Sequence, residues 1–342
     1  MRESIVLYLF VLWTMFGSFS SVIIYRLKSW EKWIWWGRSH CAKCHKTLSA
    51  RDLVPLFSYL LNIGKCRQCD AKISSIYPVL EIVMGLSFAL VWYFWVDMYA
   101  IIGWESLELF RLMFLLFIAF LLVVFTFYDI LFLEIPEEIL VIAIMGTFLI
   151  LCIQTLFPSW AFLPFWWGQY TLFEAIVSIV LCAAIIMWFY IIMIKELPEK
   201  YDLGILLLMW VFLFGFKQLA FSSQMSAWDI PLVSGTLAAY CIFLFFFFQI
   251  YISWGTWMGG WDLRIAILMG LLLGASFSFY GIMITYITGS IVGIGIVAYK
   301  KLIEGQKWRV NTMIPFWPFL ATGIFITLLF YPYIDNFINL YK

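Results

Sequence analysis

The chain has 342 residues, 65% of them hydrophobic and only 12% charged, with a net charge of +1. Soluble globular chains carry about 25% charged residues, so a soluble domain of this length has no way to hide so much apolar surface. The basic residues crowd into one short loop rather than a stripe on a large surface, which argues against nucleic acid as a partner.

Long apolar runs recur along the chain, many near the roughly 20 residues that span a bilayer. The run from Ile5 to Ile24 is too long for a secretory signal, and no small-residue cleavage site follows it, so it reads as a retained first helix. The expected fold class is all-α, a polytopic membrane bundle of about ten spanning helices with a small cytosolic zinc-knuckle loop. The predicted spans are 4–24, 79–98, 109–128, 137–157, 171–194, 203–221, 231–252, 264–281, 282–299 and 313–333. Almost no polar punctuation separates 264–281 from 282–299.

Basic residues set the orientation, because they are retained on the cytoplasmic side. The first loop holds Lys28, Lys32, Arg38, Lys43, Lys46, Arg51, Lys65, Arg67 and Lys72, with Arg26 just before it. With that loop inside, ten helices also leave Lys195, Lys200, Arg264, Lys300, Lys301, Lys307 and Arg309 inside. Arg2, Arg111, Lys217 and Lys342 fall outside. Both termini are then expected outside, in an inner (plasma) membrane protein in contact with lipid.

The polar loop, residues 28–76, reads CAKC, then 21 residues, then CRQC. Two CxxC knuckles at this separation suit a tetrahedral site in which Cys41, Cys44, Cys66 and Cys69 hold zinc. Reducing conditions in the cytosol disfavour disulfides between them. His40 and His45 flank the first knuckle and read as solvated loop histidines. Four protein ligands leave no open position, so such a metal is structural rather than catalytic. Cys152, Cys182 and Cys241 lie singly in apolar runs and read as packing residues.

Ionisable residues near a spanning segment are costly and default to a functional reading. Asp129 ends the third span in FYDILFLEIPEE, and Asp262 precedes the eighth in WMGGWDLRIAIL. The threading puts both at the cytoplasmic surface. Two carboxylates on one water share a proton, and one serves as base while the other serves as acid. Gly259 and Gly260 leave room for close backbone approach. The competing reading is structural: Asp129 caps a helix or pairs with Arg264. Glu134, Glu137 and Glu138 are alternative carboxylates, and Glu81 is a further acid inside a span.

At this point the residues resemble the type IV prepilin peptidases, membrane aspartic proteases of the GxGD kind. The resemblance runs through Gly17-Ser18-Phe19 and Tyr25-Arg26-Leu27, the loop RSHCAKC to KISSIYPVLE, the two aspartate boxes, and IPFWPFLATG near the end. It implies that Asp129 and Asp262 are the catalytic pair of an aspartic endopeptidase. It implies cleavage of the basic leader of a type IV prepilin or pseudopilin at the cytosolic face, with Glu134, Glu137, Glu138, Gly259, Gly260 and Trp261 meeting substrate. In many members the same protein methylates the new N-terminus with S-adenosylmethionine, and the four-cysteine loop accompanies that form. Trp261 and Trp317 stand where the family has glycine, and Arg264 where lysine is usual. Trp261 is read either as a side chain turned to lipid or, with Trp317, as a narrowing of the cleft.

The resulting division is a first helix (1–27), a cytosolic four-cysteine loop (28–76) and a membrane-embedded peptidase region (77–342). A two-helix insertion around 195–230 accounts for the excess over the family's usual eight spans. Two other readings compete with the enzyme: an inactive assembly factor of the same fold, and a presenilin-like intramembrane protease. The cysteine loop and the lack of a PAL signature weigh against the latter. A transporter would need acids at mid-membrane, not at segment ends.

Overall fold

The computed structural model describes residues 2–29, 37–41, 43–95, 105–160, 163, 170–194, 230–256, 258–303 and 315–340. The chain divides into two compact units, Met1–Pro136 and Glu137–Lys342. Seven of the described helices are long and apolar enough to cross a membrane. Among the described residues the only extended pairings are two isolated bridges in the cysteine loop. The protein is a polytopic helical membrane protein, as its composition implies.

The first unit contains α1 (Arg2–Ser29), the short α2 (Phe57–Leu61), α3 (Ile76–Trp95) and α4 (Ser106–Phe132). Lipid tails are as apolar as leucine, so helices in a membrane associate by close packing rather than by the hydrophobic effect. Gly17 of α1 supplies that closeness: a Cβ there would lie 2.5 Å from the backbone Cα of Glu81. Four residues further along α3, Gly85 sits under the Phe10 ring and the Thr14 methyl. The pairing of Gly17 with Glu81 and of Phe10 with Gly85 makes α1 and α3 antiparallel. Trp13 extends the seam, with its ring 6.0 Å from Phe88 and 5.9 Å from Trp92. Helix α4 ends at Leu133, which takes a left-handed conformation (φ 54°) and donates its N–H to Asp129 O at 2.8 Å. This is an αL stop, and Pro136 follows it.

The second unit contains α5 (Glu137–Leu156), α6 (Leu172–Ile194), α7 (Pro231–Ser253), α8 (Trp261–Ile303), α9 (Trp317–Leu329) and α10 (Tyr331–Leu340). Helix α5 follows Pro136 directly and opens with Glu137 and Glu138, acids that complement the helix dipole. Pro231 opens α7 in the same favourable first position. Gly270 of α8 lies against the backbone of Ala238 and Ala239 in α7, so closely that no side chain fits between them. Gly323 of α9 likewise admits Thr285 and the Gly281 carbonyl of α8.

Helix α8 is not continuous. Gly274 has φ 61° and ψ −176°, a conformation that interrupts the helix and that glycine tolerates best. Met269 Cε and Leu273 Cδ1 lie 2.6 and 2.5 Å from where a Cβ on Gly281 would stand. Twelve residues of straight helix would separate 269 and 281 by about 18 Å, so the limbs fold sharply back on each other. The two predicted spans 264–281 and 282–299 fall on this one interrupted helix, which counts as a single candidate span from Trp261 to Tyr299 and whose break is at Gly274, not 281–282. Its apolar neighbours hid the break. The predicted span 203–221, and with it the insertion around 195–230, lies outside the described residues. The last predicted span, 313–333, is a helix of 13 residues continued by α10.

Candidate functional site

The cysteine loop is built as two matching knuckles. In the first, Cys41 N–H bonds to Lys46 O at 3.0 Å and His45 N–H to Cys41 O at 2.9 Å. In the second, Cys66 N–H bonds to Ala71 O at 2.8 Å and Asp70 N–H to Cys66 O at 2.9 Å. His45 and Asp70 occupy the same place in each turn, and both are left-handed, with φ 56° and 53°. Bridges between His40 and Thr47 and between Lys65 and Lys72 close the two turns. The four sulfurs all lie within 4.8 Å of one another, and Cys41 and Cys69 are 3.9 Å apart. Tetrahedral Zn–S bonds of about 2.3 Å place sulfurs about 3.8 Å apart, so this cluster fits a metal ion. Backbone N–H groups of Cys44 and Lys43 hold the Cys41 thiol down at about 6, while burial and the neighbouring thiols push Cys69 up to about 11, so the four sulfurs titrate as one cluster.

An open cavity of about 280 Å³ lies between this loop, α1 and α3. Glu81 on α3 is 8% exposed and lines it. The Glu81 carboxylate accepts the Leu56 N–H at 2.8 Å and a hydrogen bond from Ser18. Leu56 has φ 59°, a left-handed turn that aims its N–H into the helices. Arg26, 5% exposed, lines the same cavity, and its guanidinium donates to Arg38 O at 3.4 Å. Asp52 caps the 3-10 turn Ala50–Leu53, accepting from Ser49 N and Oγ at 3.1 and 2.6 Å. The Ser49 hydroxyl bond, more than Arg67 3.7 Å away, holds the Asp52 carboxyl below its usual range.

The two aspartates belong to different compact units. Asp129 is 8% exposed and stands in the last turn of α4. Beyond it, exposed Glu134 pairs with Lys28 of α1 at 2.6 Å, and the Lys28 ammonium sits 5.1 Å from the Phe132 ring centroid. Asp262 is 9% exposed and starts α8. Its Oδ2 accepts the Gly259 N–H at 3.1 Å, while its own N–H donates to Gly259 O at 3.2 Å. The Gly259–Gly260 turn is thus folded around the Asp262 carboxylate.

Arg264, two residues further along α8, forms an ion pair with Glu137 of α5. Its guanidinium also stacks 4.2 Å from the Trp261 ring centroid. Arg–aromatic stacking of this kind contributes about 0.5–1 kcal/mol at partly exposed sites. Trp261 is 38% exposed and serves as a platform for Arg264, whereas Trp317 is 1% exposed at the start of α9. The two tryptophans thus occupy unlike environments, which their matching positions in the sequence pattern did not reveal. Glu138 is exposed and makes no ion pair with a described residue. The Leu56–Glu81 bond and the Arg264–Trp261 stack were not read from the sequence. A buried acid within KISSIYPVLE was the one available hint of the former.

Residues 11–95 match the family model described as the bacterial Peptidase A24 N-terminal domain. The chain is 47% identical over 58 residues to a type 4 prepilin-like proteins leader peptide-processing enzyme of Escherichia coli, covering 17% of this chain and 22% of the relative. It is 42% identical over 97 residues to a prepilin leader peptidase/N-methyltransferase of Vibrio cholerae, covering 25% and 38%. A relative of the same description in Pectobacterium carotovorum is 32% identical over 149 residues, covering 38% and 50%. The chain thus spans between 22% and 50% of the length of these curated relatives. No solved structure matches it. The resemblance to type IV prepilin peptidases is shown over these segments.

Proposed function

We propose that this protein is a membrane aspartic endopeptidase that removes the basic leader of a type IV prepilin or pseudopilin. Asp129 and Asp262 are its catalytic pair in this reading. The observation that carries it is a buried aspartate at the end of each of two apolar helices, in a chain whose residues 11–95 match the Peptidase A24 N-terminal domain. One aspartate takes a proton from the attacking water, and the protonated partner polarises the scissile carbonyl. The pair titrates as a unit, so the two roles belong to the dyad rather than to a fixed residue. The Gly259–Gly260 turn leaves room for substrate backbone beside Asp262, and Trp261 borders that approach. The acids Glu134, Glu137 and Glu138 favour a basic leader. Lys28 and Arg264 already hold the first two, so Glu138 is the most available of the three.

The same reading places the cysteine loop in the cytosol, with both termini outside, in a bacterial inner membrane. Cys41, Cys44, Cys66 and Cys69 would hold a structural zinc ion. The relatives' names add N-methylation of the new N-terminus, with S-adenosylmethionine as donor.

The test is mass spectrometry of a co-expressed prepilin. The wild type yields the shortened, methylated N-terminus, and D129N and D262N each leave the leader attached. Processed pilin from both single variants would refute the peptidase reading.

A further inference from the structure

Helix α8 doubles back at Gly274, and Asp262 and Tyr286 stand equally far from that break on its two limbs. The fold thus returns Tyr286 to the level of Asp262, close enough for the aspartate's charge to act on the phenol. Helix α7 reaches the same level. Gly270 lies against Ala238 and Ala239, and the Ala275 N–H donates to Ser234 Oγ at 3.1 Å, so α7 runs antiparallel to the first limb of α8. That register sets Gln249, one turn from the end of α7, level with the Gly259–Gly260 turn that folds around the Asp262 carboxylate.

The Tyr286 hydroxyl donates to Gln249 Oε1 at 2.8 Å. Two rings fix the phenol: the centroids of Phe245 and Phe316 each lie 6.0 Å from its own. Phe316 in turn packs on Phe246, 6.1 Å away, which gives the IPFWPFLATG segment a task that its sequence did not show. Polar side chains in spanning helices serve as glue between helices, but Gln249 offers more than glue requires. Its oxygen is taken by Tyr286, which orients the amide, and its two N–H donors bond to no other described residue. An oriented amide with spare donors, half-buried at the level of a buried aspartate, is suited to a carbonyl group.

We propose that Gln249 is a substrate-binding residue whose amide donates to a backbone carbonyl of the prepilin beside the scissile bond, with Tyr286 as the positioning residue that aims it. The inference deepens the peptidase reading and rests on it. A carbonyl inside a helix is already bonded to the N–H four residues on, so the segment that meets Asp262 must be extended. Its freed carbonyls are costly beside apolar surface unless they find donors. Gln249 supplies one such donor. It reads backbone rather than side chains, so it serves substrates of differing sequence at the cleavage point.

The experiment is leader-cleavage kinetics on the full-length enzyme in detergent, with prepilin purified leader-intact from cells lacking the enzyme. Q249M keeps the side-chain length without a donor. It raises KM about three- to tenfold, the scale of one hydrogen bond, with a smaller change in kcat, as loss of substrate binding requires. Y286F keeps the ring between Phe245 and Phe316, loses the hydroxyl and raises KM less. The double variant is no worse than Q249M alone, because Tyr286 acts only through Gln249. An unchanged KM in Q249M, losses that add in the double variant, or a fall in kcat at unchanged KM would overturn the inference. Each of these results leaves the peptidase reading intact while D129N and D262N stay inactive. Cleavage by both of those variants sinks the peptidase reading and the inference with it.

Discussion

The cysteine loop of the first unit and the helices of the second reach order by opposite means. In the first, residues 39–73 have few buried apolar side chains, and short hydrogen-bonded turns bring four sulfurs together. In the second, α7, α8 and α9 press backbone against backbone at Gly270 and Gly323, and α7 and α8 add hydrogen bonds from Ala275 N–H to Ser234 Oγ and from Tyr286 to Gln249. A segment outside the bilayer core and too short to build a core of its own needs cross-links or metal. A helix inside the bilayer has its backbone bonds satisfied already and needs only shape. The consequence is that loss of the metal should unfold the loop while the packing of α7, α8 and α9 persists.

Metal removal should give the largest effect. Structural zinc contributes on the order of 10 kcal/mol to small metal-folded domains. Chelation, or Cys66→Ser, should expose the 37–75 segment to rapid limited proteolysis while the α7–α8 region stays resistant. Equal sensitivity in both regions would break the comparison. Next come D129N and D262N, each expected to lower leader cleavage at least about a hundredfold, the scale of general acid–base catalysis. Metal content, read by mass spectrometry of the intact protein, should not change in either.

Gly270→Val should follow, because a side chain there meets the Ala239 backbone rather than a movable group. Overpacking of this kind costs about 1–3 kcal/mol, read as a lower thermal midpoint in detergent with the cysteine loop still metal-bound. E137Q removes the Glu137 carboxylate from the ion pair with buried Arg264. Breaking a fully buried pair costs about 3–5 kcal/mol, but the Glu137 side chain is 53% exposed. About 1–2 kcal/mol is therefore expected, again confined to the second unit.

The smallest effect belongs to Asp52. Its folded pKa lies below the ordinary carboxylate value, through the Ser49 hydroxyl first. Its contribution is therefore present above about pH 4 and lost as the pH falls through the folded value. D52N should flatten that acid-side loss, by under about 1 kcal/mol, in the loop's proteolysis rate measured from pH 5 downward.

Much of this architecture is written locally in the chain. Apolar runs of bilayer length announce α1, α3, α4, α5, α6 and α7, because a spanning helix satisfies its backbone within itself and needs only composition. The knuckles follow from CxxC spacing, since each pair of thiols sits on one tight turn. The positions of Asp129 and Asp262 at helix ends follow from where the polar residues interrupt those runs.

What the tertiary structure decided depends on residues far apart in sequence. Gly274 breaks α8 inside an unbroken apolar stretch, where no polar residue marks the turn. Only the packing of Met269 and Leu273 over Gly281 reveals that the limbs fold back. Arg264 takes Glu137 and Trp261 as partners, a choice set by how α5 and α8 pack. Glu81 acquires its meaning only when Gly17 lets α1 against it and Leu56 folds down onto it. Composition and spacing thus determined that this is a membrane helical protein with a four-thiol cluster and two aspartates at helix ends. Long-range packing determined which charges are paired and where a cavity remains, because those depend on side chains whose meeting no local pattern encodes.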